Sequence, residues 1–296
     1  MLGAIVGDFI GSSWEGVEPF QFRGELLSDM CHFTDDTVLT ITTAYAWALG
    51  LNLKAKYRES IHDYANVGFS ESLLRWAKGL DEQQHFNVGN GAAIRVSPVA
   101  MFAGDLGQAI ALSRASASVT HYNKLAIQLA ELIGGATFLA HREYTPADIQ
   151  QFANLHSPSL FETQRVGLPY QWESVVTAIE IACHTRSFES CMQESISAGG
   201  DVDSVCAMAG AISDGLWGCP PELVLKVLEK LELHHPDLFA MLRIAMLGCA
   251  KNPHANNKDQ LRYLEKSTDA KAAVARAKLK AGTFPLSGSR SFLKSK

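Results

Sequence analysis

The chain has 296 residues, 47% of them hydrophobic and 19% charged, a composition that fills a sizeable globular core and excludes a disordered polymer. Charge interrupts every long apolar run, as Glu131 interrupts the run 125–140, so no stretch approaches the roughly 18 apolar residues of a membrane span and no membrane partner is expected. The net charge of −5 is uneven, because residues 251–296 hold eleven Lys or Arg against three Asp or Glu while the rest carries −13, and an acidic body of that kind excludes a broad nucleic-acid surface.

In chain order the pattern is helical almost throughout. From Met1 to Trp14 apolar residues fall at Leu2, Ile5, Val6, Phe9 and Ile10, and Gly3, Gly7 and Gly11 line one bare face with Glu15 next on it. Close packing against another backbone is the expected use of such a face, with ligand approach as the alternative. The absence of a basic leader before this stretch, and Asp8 within it, predict a cytoplasmic protein. Further helices are predicted near Thr37–Leu49, Lys54–Ala65, Ser70–Leu80, Leu106–Ala115, Asn123–Ala140, Pro146–Asn154, Trp172–His184, Phe188–Ala198, Val202–Trp217, Glu222–Leu233 and Pro236–Ala250. Thr145-Pro146 and Pro220-Pro221 are explicit start signals. The class is all-α, with one domain over residues 1–250 and a basic helical appendage with a loose end over 251–296. That appendage, with Lys271, Arg276, Lys278 and Lys280, is expected to be solvated; a helical scaffold using it to touch nucleic acid is a rival class. Six scattered cysteines without a C-x-x-C pair read as reduced core thiols.

Two strings share one grammar. Thr34-Asp35-Asp36 stands at the start of the helix Thr37–Leu49, and Gly199-Gly200-Asp201-Val202-Asp203-Ser204 stands at the start of another. Each alone reads as capping, with Thr34 and Asp201 as caps and acids in the positive first turn. Together, if the two helix starts meet, they bring four carboxylates and two hydroxyls to one place. Such a cluster repels itself when empty and is neutralised by divalent cations, and hard oxygen ligands without His or Cys select magnesium or manganese over zinc. A third string, Val88-Gly89-Asn90-Gly91-Ala92-Ala93, leaves backbone N–H groups open to a phosphate, although Asn-Gly is also a tight-turn dipeptide. Arg95 either supports that loop or a phosphate, or forms a structural salt bridge. His121, ahead of the helix Asn123–Ala140, is a neutral hydrogen-bond donor to a ligand or a plain cap.

In order, Gly7-Asp8-x-x-Gly11 with Glu15, Phe33-Thr34-Asp35-Asp36-Thr37, Gly89-Asn90-Gly91-Ala92-Ala93, Thr120-His121 and Gly200-Asp201-x-Asp203-Ser204 resemble the ADP-ribosylglycohydrolase family over about residues 1–250. The resemblance implies a compact orthogonal helical bundle with a cleft holding two Mg2+ or Mn2+ ions. It implies Thr34, Asp35, Asp36, Asp201, Asp203 and Ser204 as metal ligands, and Glu15 as the catalytic or gating glutamate, with Asp36 the rival for proton transfer. Gly89, Asn90, Gly91 and Ala92 would face the diphosphate, His121 the ADP-ribose cleft, and Tyr170 the distal ribose or adenine, with a core tyrosine as the preferred alternative for Tyr170. Val202, Ser204 and Ile94 depart from the frequent residues without removing a charge. The expected reaction releases ADP-ribose from an ADP-ribosylated protein or small molecule, most simply N-linked on arginine. O-linked ADP-ribose on serine or in O-acetyl-ADP-ribose is the alternative, and a catalytically silent, crystallin-like ADP-ribose binder is another.

Overall fold

The computed structural model describes residues 1–80, 89–161 and 170–249, and among them every regular element is helical. The helices are α1 (Leu2–Gly11), α2 (Asp35–Leu49), α3 (Leu53–Asp63), α4 (Glu71–Ala77), α5 (Gly91–Ile94), α6 (Val99–Phe102), α7 (Leu106–Ala117) and α8 (Lys124–Ala140). They continue with α9 (Pro146–His156), α10 (Pro158–Phe161), α11 (Tyr170–His184), α12 (Phe188–Ala198), α13 (Val202–Trp217), α14 (Pro221–His234) and α15 (Pro236–Cys249), and a 3₁₀ turn, Ser12–Trp14, extends α1. The all-α expectation stands. None of these helices is long and apolar enough to cross a membrane. The expected basic appendage lies outside the described residues.

The start signals act as predicted. Thr145 accepts from Asp148 N in a capping box with Pro146 at the first helical position, and Pro220 precedes Pro221 at the start of α14. Three one-turn helices, α5, α6 and α10, give no sequence signal, because four residues are too few to display a helical period. Asn90-Gly91 is not a tight turn; Asn90 is the N-cap residue of α5.

The middle of the molecule is the pair α1 and α13. Every residue of α1 is buried, as is α13 from Val202 to Ser213. The glycine face of α1 is what allows this. A Cβ built on Gly3 would lie 2.3 Å from Gly210 O, one on Gly7 would lie 2.0 Å from Cys206 O, and one on Gly11 would lie 2.7 Å from Val202 O. The partner positions descend along α13 as the glycines ascend along α1, so the two helices are antiparallel and their backbones touch. Packing, rather than ligand approach, is therefore the use of the glycine face. The arrangement carries the C-terminal end of α1 to the N-terminal end of α13. A Gly7→Val chain is expected to lose about 3 kcal/mol or more of stability in urea unfolding, since the added side chain meets backbone that cannot yield. A loss under about 0.5 kcal/mol would contradict this close approach.

α8, α11 and α12 surround α13, while α2 lies against α15 and α3. Phe9 of α1 packs against Phe33 with ring centroids 4.6 Å apart and the rings tilted by 39°, which ties the segment before α2 to the central pair. The five cysteines whose side chains are described, Cys31, Cys183, Cys191, Cys206 and Cys219, are free thiols, in line with the sequence reading.

Candidate metal centre

The two aspartate strings, 165 residues apart, do meet. Thr34 has extended backbone and its Oγ1 accepts from Asp36 N, which starts α2 with Asp35 and Asp36 in the first turn. Asp201 occupies the N-cap position of α13 but makes no capping bond with its side chain, so the capping account of this acid does not hold. Gly199 and Gly200, at φ 69° and 74°, make the preceding turn, which residues with a Cβ rarely adopt. Asp203 follows in the first turn of α13, and Ser204 Oγ donates to Asp36 Oδ2 at 3.4 Å, joining the two strings directly.

Between them stands Asp8, which in the sequence is only an interruption of the apolar run and one letter of a longer string. Carboxylate oxygens of Asp8, Asp36 and Asp203 lie within 4.8 Å of one another, and all three residues are buried. Asp8 is 0% exposed. Its Oδ1 accepts from Thr34 Oγ1 at 2.6 Å, and its Oδ2 accepts from Thr34 N at 3.1 Å and from Thr37 Oγ1. Asp8 thus organises the turn that presents Asp35 and Asp36. The available signal was a single acid on a helix whose other faces are apolar or glycine, since a buried acid needs donors to satisfy it.

The electrostatics are those of crowded like charges. Burial, followed by the charges of Asp8, Glu15 and Asp201, pushes Asp35 up to about 7 from 3.8. Burial, then Asp8, Asp201 and Glu15, pushes Asp203 up to about 8. Asp36 is raised well above the ordinary carboxylate range by burial and by Asp35 and Asp203, and Asp8 is raised by burial against the pull of Thr34 and Thr37. Asp203 Oδ1 is buried with no hydrogen-bond partner. A carboxylate oxygen left bare in a cluster of acids, with hydroxyls from Thr34 and Ser204 beside it, is the donor chemistry that a hard divalent cation satisfies. The residues present therefore fit such an ion.

Glu15 sits at the rim, exposed, just past the 3₁₀ turn. Its loop is fastened to the second aspartate string by a reciprocal pair of backbone bonds, Gly16 N to Gly200 O at 2.7 Å and Gly200 N to Val17 O at 2.8 Å. Trp14 packs against Phe20 and Phe22 and fixes the loop from the other side. The charge of Glu15 is felt at Asp35 and Asp203, which places it on the same cluster. Beside Asp201 opens a groove of about 460 Å³ whose walls include Glu18, Glu173, Ser174 and Gly199.

The remaining expected residues are placed as follows. Asn90 is buried and its Nδ2 donates to Asp201 Oδ2 and to Ser174 Oγ. Ser174 escapes sequence reasoning, because one serine inside a helical segment gives no signal. A Cβ on Gly91 would meet no atom of the described residues within 4 Å, so among them this glycine faces open space, while Ala92 is buried and Gly89 half-buried. His121 is buried, and its Nδ1 lies 2.8 Å from Thr120 Oγ1, which itself accepts from Arg95 Nη2 at 2.6 Å. Asn123, not His121, caps α8. Arg95 is buried, stacks on Tyr57 at 4.5 Å and donates to Ser116 O, so its part is structural through hydroxyls and a carbonyl. Tyr170 begins α11.

A family model described as ADP-ribosylglycohydrolase matches residues 1–247. ADP-ribosyl-[dinitrogen reductase] glycohydrolase from Rhodospirillum rubrum is 26% identical over 273 residues, covering 73% of this chain and 84% of its own. A solved ADP-ribosylglycohydrolase-related protein complex superposes with a TM-score of 0.63 at 21% identity, over 82% of this chain and 95% of the other, which establishes likeness of fold.

Proposed function

The chain belongs to the ADP-ribosylglycohydrolase family and is a hydrolase of ADP-ribosyl bonds, and on that premise we propose that it uses two divalent cations, Mg2+ or Mn2+, to release ADP-ribose from arginine. The observation that carries the cation reading is the bare, buried Oδ1 of Asp203 within the Asp8, Asp36 and Asp203 cluster. Thr34, Asp35, Asp36, Asp201, Asp203 and Ser204 would hold the ions. When bound, such ions polarise oxygen ligands and lower the pKa of coordinated water.

The chain's own groups supply the rest. Asp8 holds Thr34 and Thr37 so that the first turn of α2 presents its acids inward. Glu15, on a loop bound to Gly200, takes a proton on its carboxylate from the attacking water or a ribose hydroxyl as positive charge builds on the sugar. Thr120, already accepting from Arg95, favours a ring proton on Nε2 of His121, a tautomer suited to donating toward the ADP-ribose cleft. The open side of Gly91, with Gly89, Asn90 and Ala92, would take the diphosphate, and Tyr170 would serve the distal nucleoside. Glu18 and Glu173 beside Asp201 suit a cationic guanidinium leaving group and repel a diphosphate, which favours arginine over serine. The free thiols favour the cytoplasm.

Side-by-side release assays on ADP-ribosyl-arginine and ADP-ribosyl-serine peptides, with and without Mn2+, test this reading. Faster release from arginine, abolished by EDTA, is expected. Metal-independent release overturns the cation reading, and faster release from serine overturns the choice of acceptor.

Two further outcomes follow from the geometry. Gly91→Ala is expected to keep the fold, since its Cβ meets none of the described residues, yet to weaken ADP-ribose binding by about tenfold in calorimetry because the methyl enters ligand space. Unchanged binding would place the diphosphate elsewhere. The second outcome concerns pH. Asp35 and Asp203 hold protons more tightly in the folded chain than their ordinary value of 3.8 allows. Their contribution to metal-free stability is complete below about pH 4 and is lost as pH rises through about 7 and 8. Cation binding must displace those protons, so the rise in thermal midpoint on adding Mn2+ should grow from pH 6 to pH 8. An increment independent of pH contradicts the ligand assignment.

A further inference from the structure

Asn90 does more than its place in a glycine loop requires. Its Nδ2 lies 2.6 Å from Asp201 Oδ2 and 2.8 Å from Ser174 Oγ, and the residue is 9% exposed. Both amide N–H groups are thus committed inside the protein. A carboxylate only accepts, so the nitrogen and not the oxygen of the amide faces Asp201. Asp201 in turn spends nothing on capping α13, and this short bond fixes the direction of its side chain. A neutral donor is well suited here, because it orients the carboxylate and leaves the charge intact for a cation, where a Lys or Arg would neutralise it. Three elements far apart in the chain meet on this one amide: the N-cap of α5, helix α11 and the N-cap of α13.

We propose that Asn90 is a positioning residue for Asp201, locked in place by Ser174, and that its side chain serves the cation site while the diphosphate is left to the loop's backbone. This rests on the reading of the aspartate cluster as a divalent-cation site. It joins the glycine loop and the second aspartate string through one side chain.

The test is Mn2+ binding by calorimetry in metal-stripped full-length chain for wild type, Asn90→Ala and Ser174→Ala, with ADP-ribose affinity then measured at saturating Mn2+. Asn90→Ala should weaken Mn2+ binding roughly 10- to 100-fold and Ser174→Ala by less, with ADP-ribose affinity held within about twofold. Wild-type Mn2+ affinity in Asn90→Ala, with ADP-ribose binding weakened, overturns the proposal and assigns the side chain to the diphosphate. Parental Mn2+ affinity in both variants overturns it as well and leaves the cation site standing. Failure of the wild type to bind Mn2+ removes the cation reading and this proposal together. If thermal unfolding in EDTA shows Asn90→Ala to be unfolded, Ser174→Ala decides, because it deletes one hydroxyl and keeps the amide.

Discussion

Replacing Asp203 by alanine is expected to abolish Mn2+ binding and to lower turnover by at least about a thousandfold, while the metal-free protein becomes no less stable. Both halves follow from the same crowding. Asp203 lies within 4.8 Å of Asp8 and Asp36, its Oδ1 has no partner, and burial with neighbouring negative charge pushes it up to about 8. With a cation bound, that oxygen is a ligand. Without one, it is a buried acid among acids, and deleting it relieves repulsion. Asp36→Ala should behave alike, with the added loss of the bond from Ser204. Calorimetry with Mn2+ and thermal unfolding in EDTA read the two halves separately. A metal-free variant destabilised by several kcal/mol would make Asp203 a structural acid, and undiminished Mn2+ binding would remove it from the ligand set.

The second large effect is at the rim. Glu15→Gln should retain Mn2+ affinity and thermal midpoint yet lose about 10²- to 10⁴-fold in turnover, the range that general acid–base catalysis contributes. The side chain is exposed, so its removal costs no packing, and the loop beneath it is held by backbone bonds between Gly16 and Val17 on one side and Gly200 on the other, which the substitution leaves alone. Full activity in this variant moves proton transfer to Asp36 or elsewhere. Loss of Mn2+ would instead make Glu15 a ligand.

What can be read from the residues alone is local. Thr34-Asp35-Asp36 and Asp201-x-Asp203-Ser204 are recognisable because helix starts are written in consecutive residues, and the longer helices follow from periodicity and caps. The glycine face of α1 is correctly expected to pack, but its partner, α13, begins some 200 residues away and nothing near Gly7 encodes that choice. The part Asp8 plays in the cluster escapes notice for the same reason: its donors, Thr34 and Thr37, lie 26 and 29 residues along the chain. Asn90 is read through its glycine neighbours, whereas its side chain answers to Asp201, 111 positions later. Capping by Asp201 is the economical reading of Gly-Gly-Asp before a helix, and it fails because competition for that carboxylate is tertiary.

The contact between α1 and α13 also sets how the centre breathes. With the backbones touching at Gly3, Gly7 and Gly11, neither helix can separate from the other without opening the hydrophobic interior. Amide hydrogens of Asp8 and its neighbours on α1 should therefore exchange with solvent deuterium only through whole-molecule unfolding, at the same rate as those in the middle of α13. The carboxylates that Asp8 and Asp203 contribute then keep their spacing for as long as the protein stays folded, whatever the rim does.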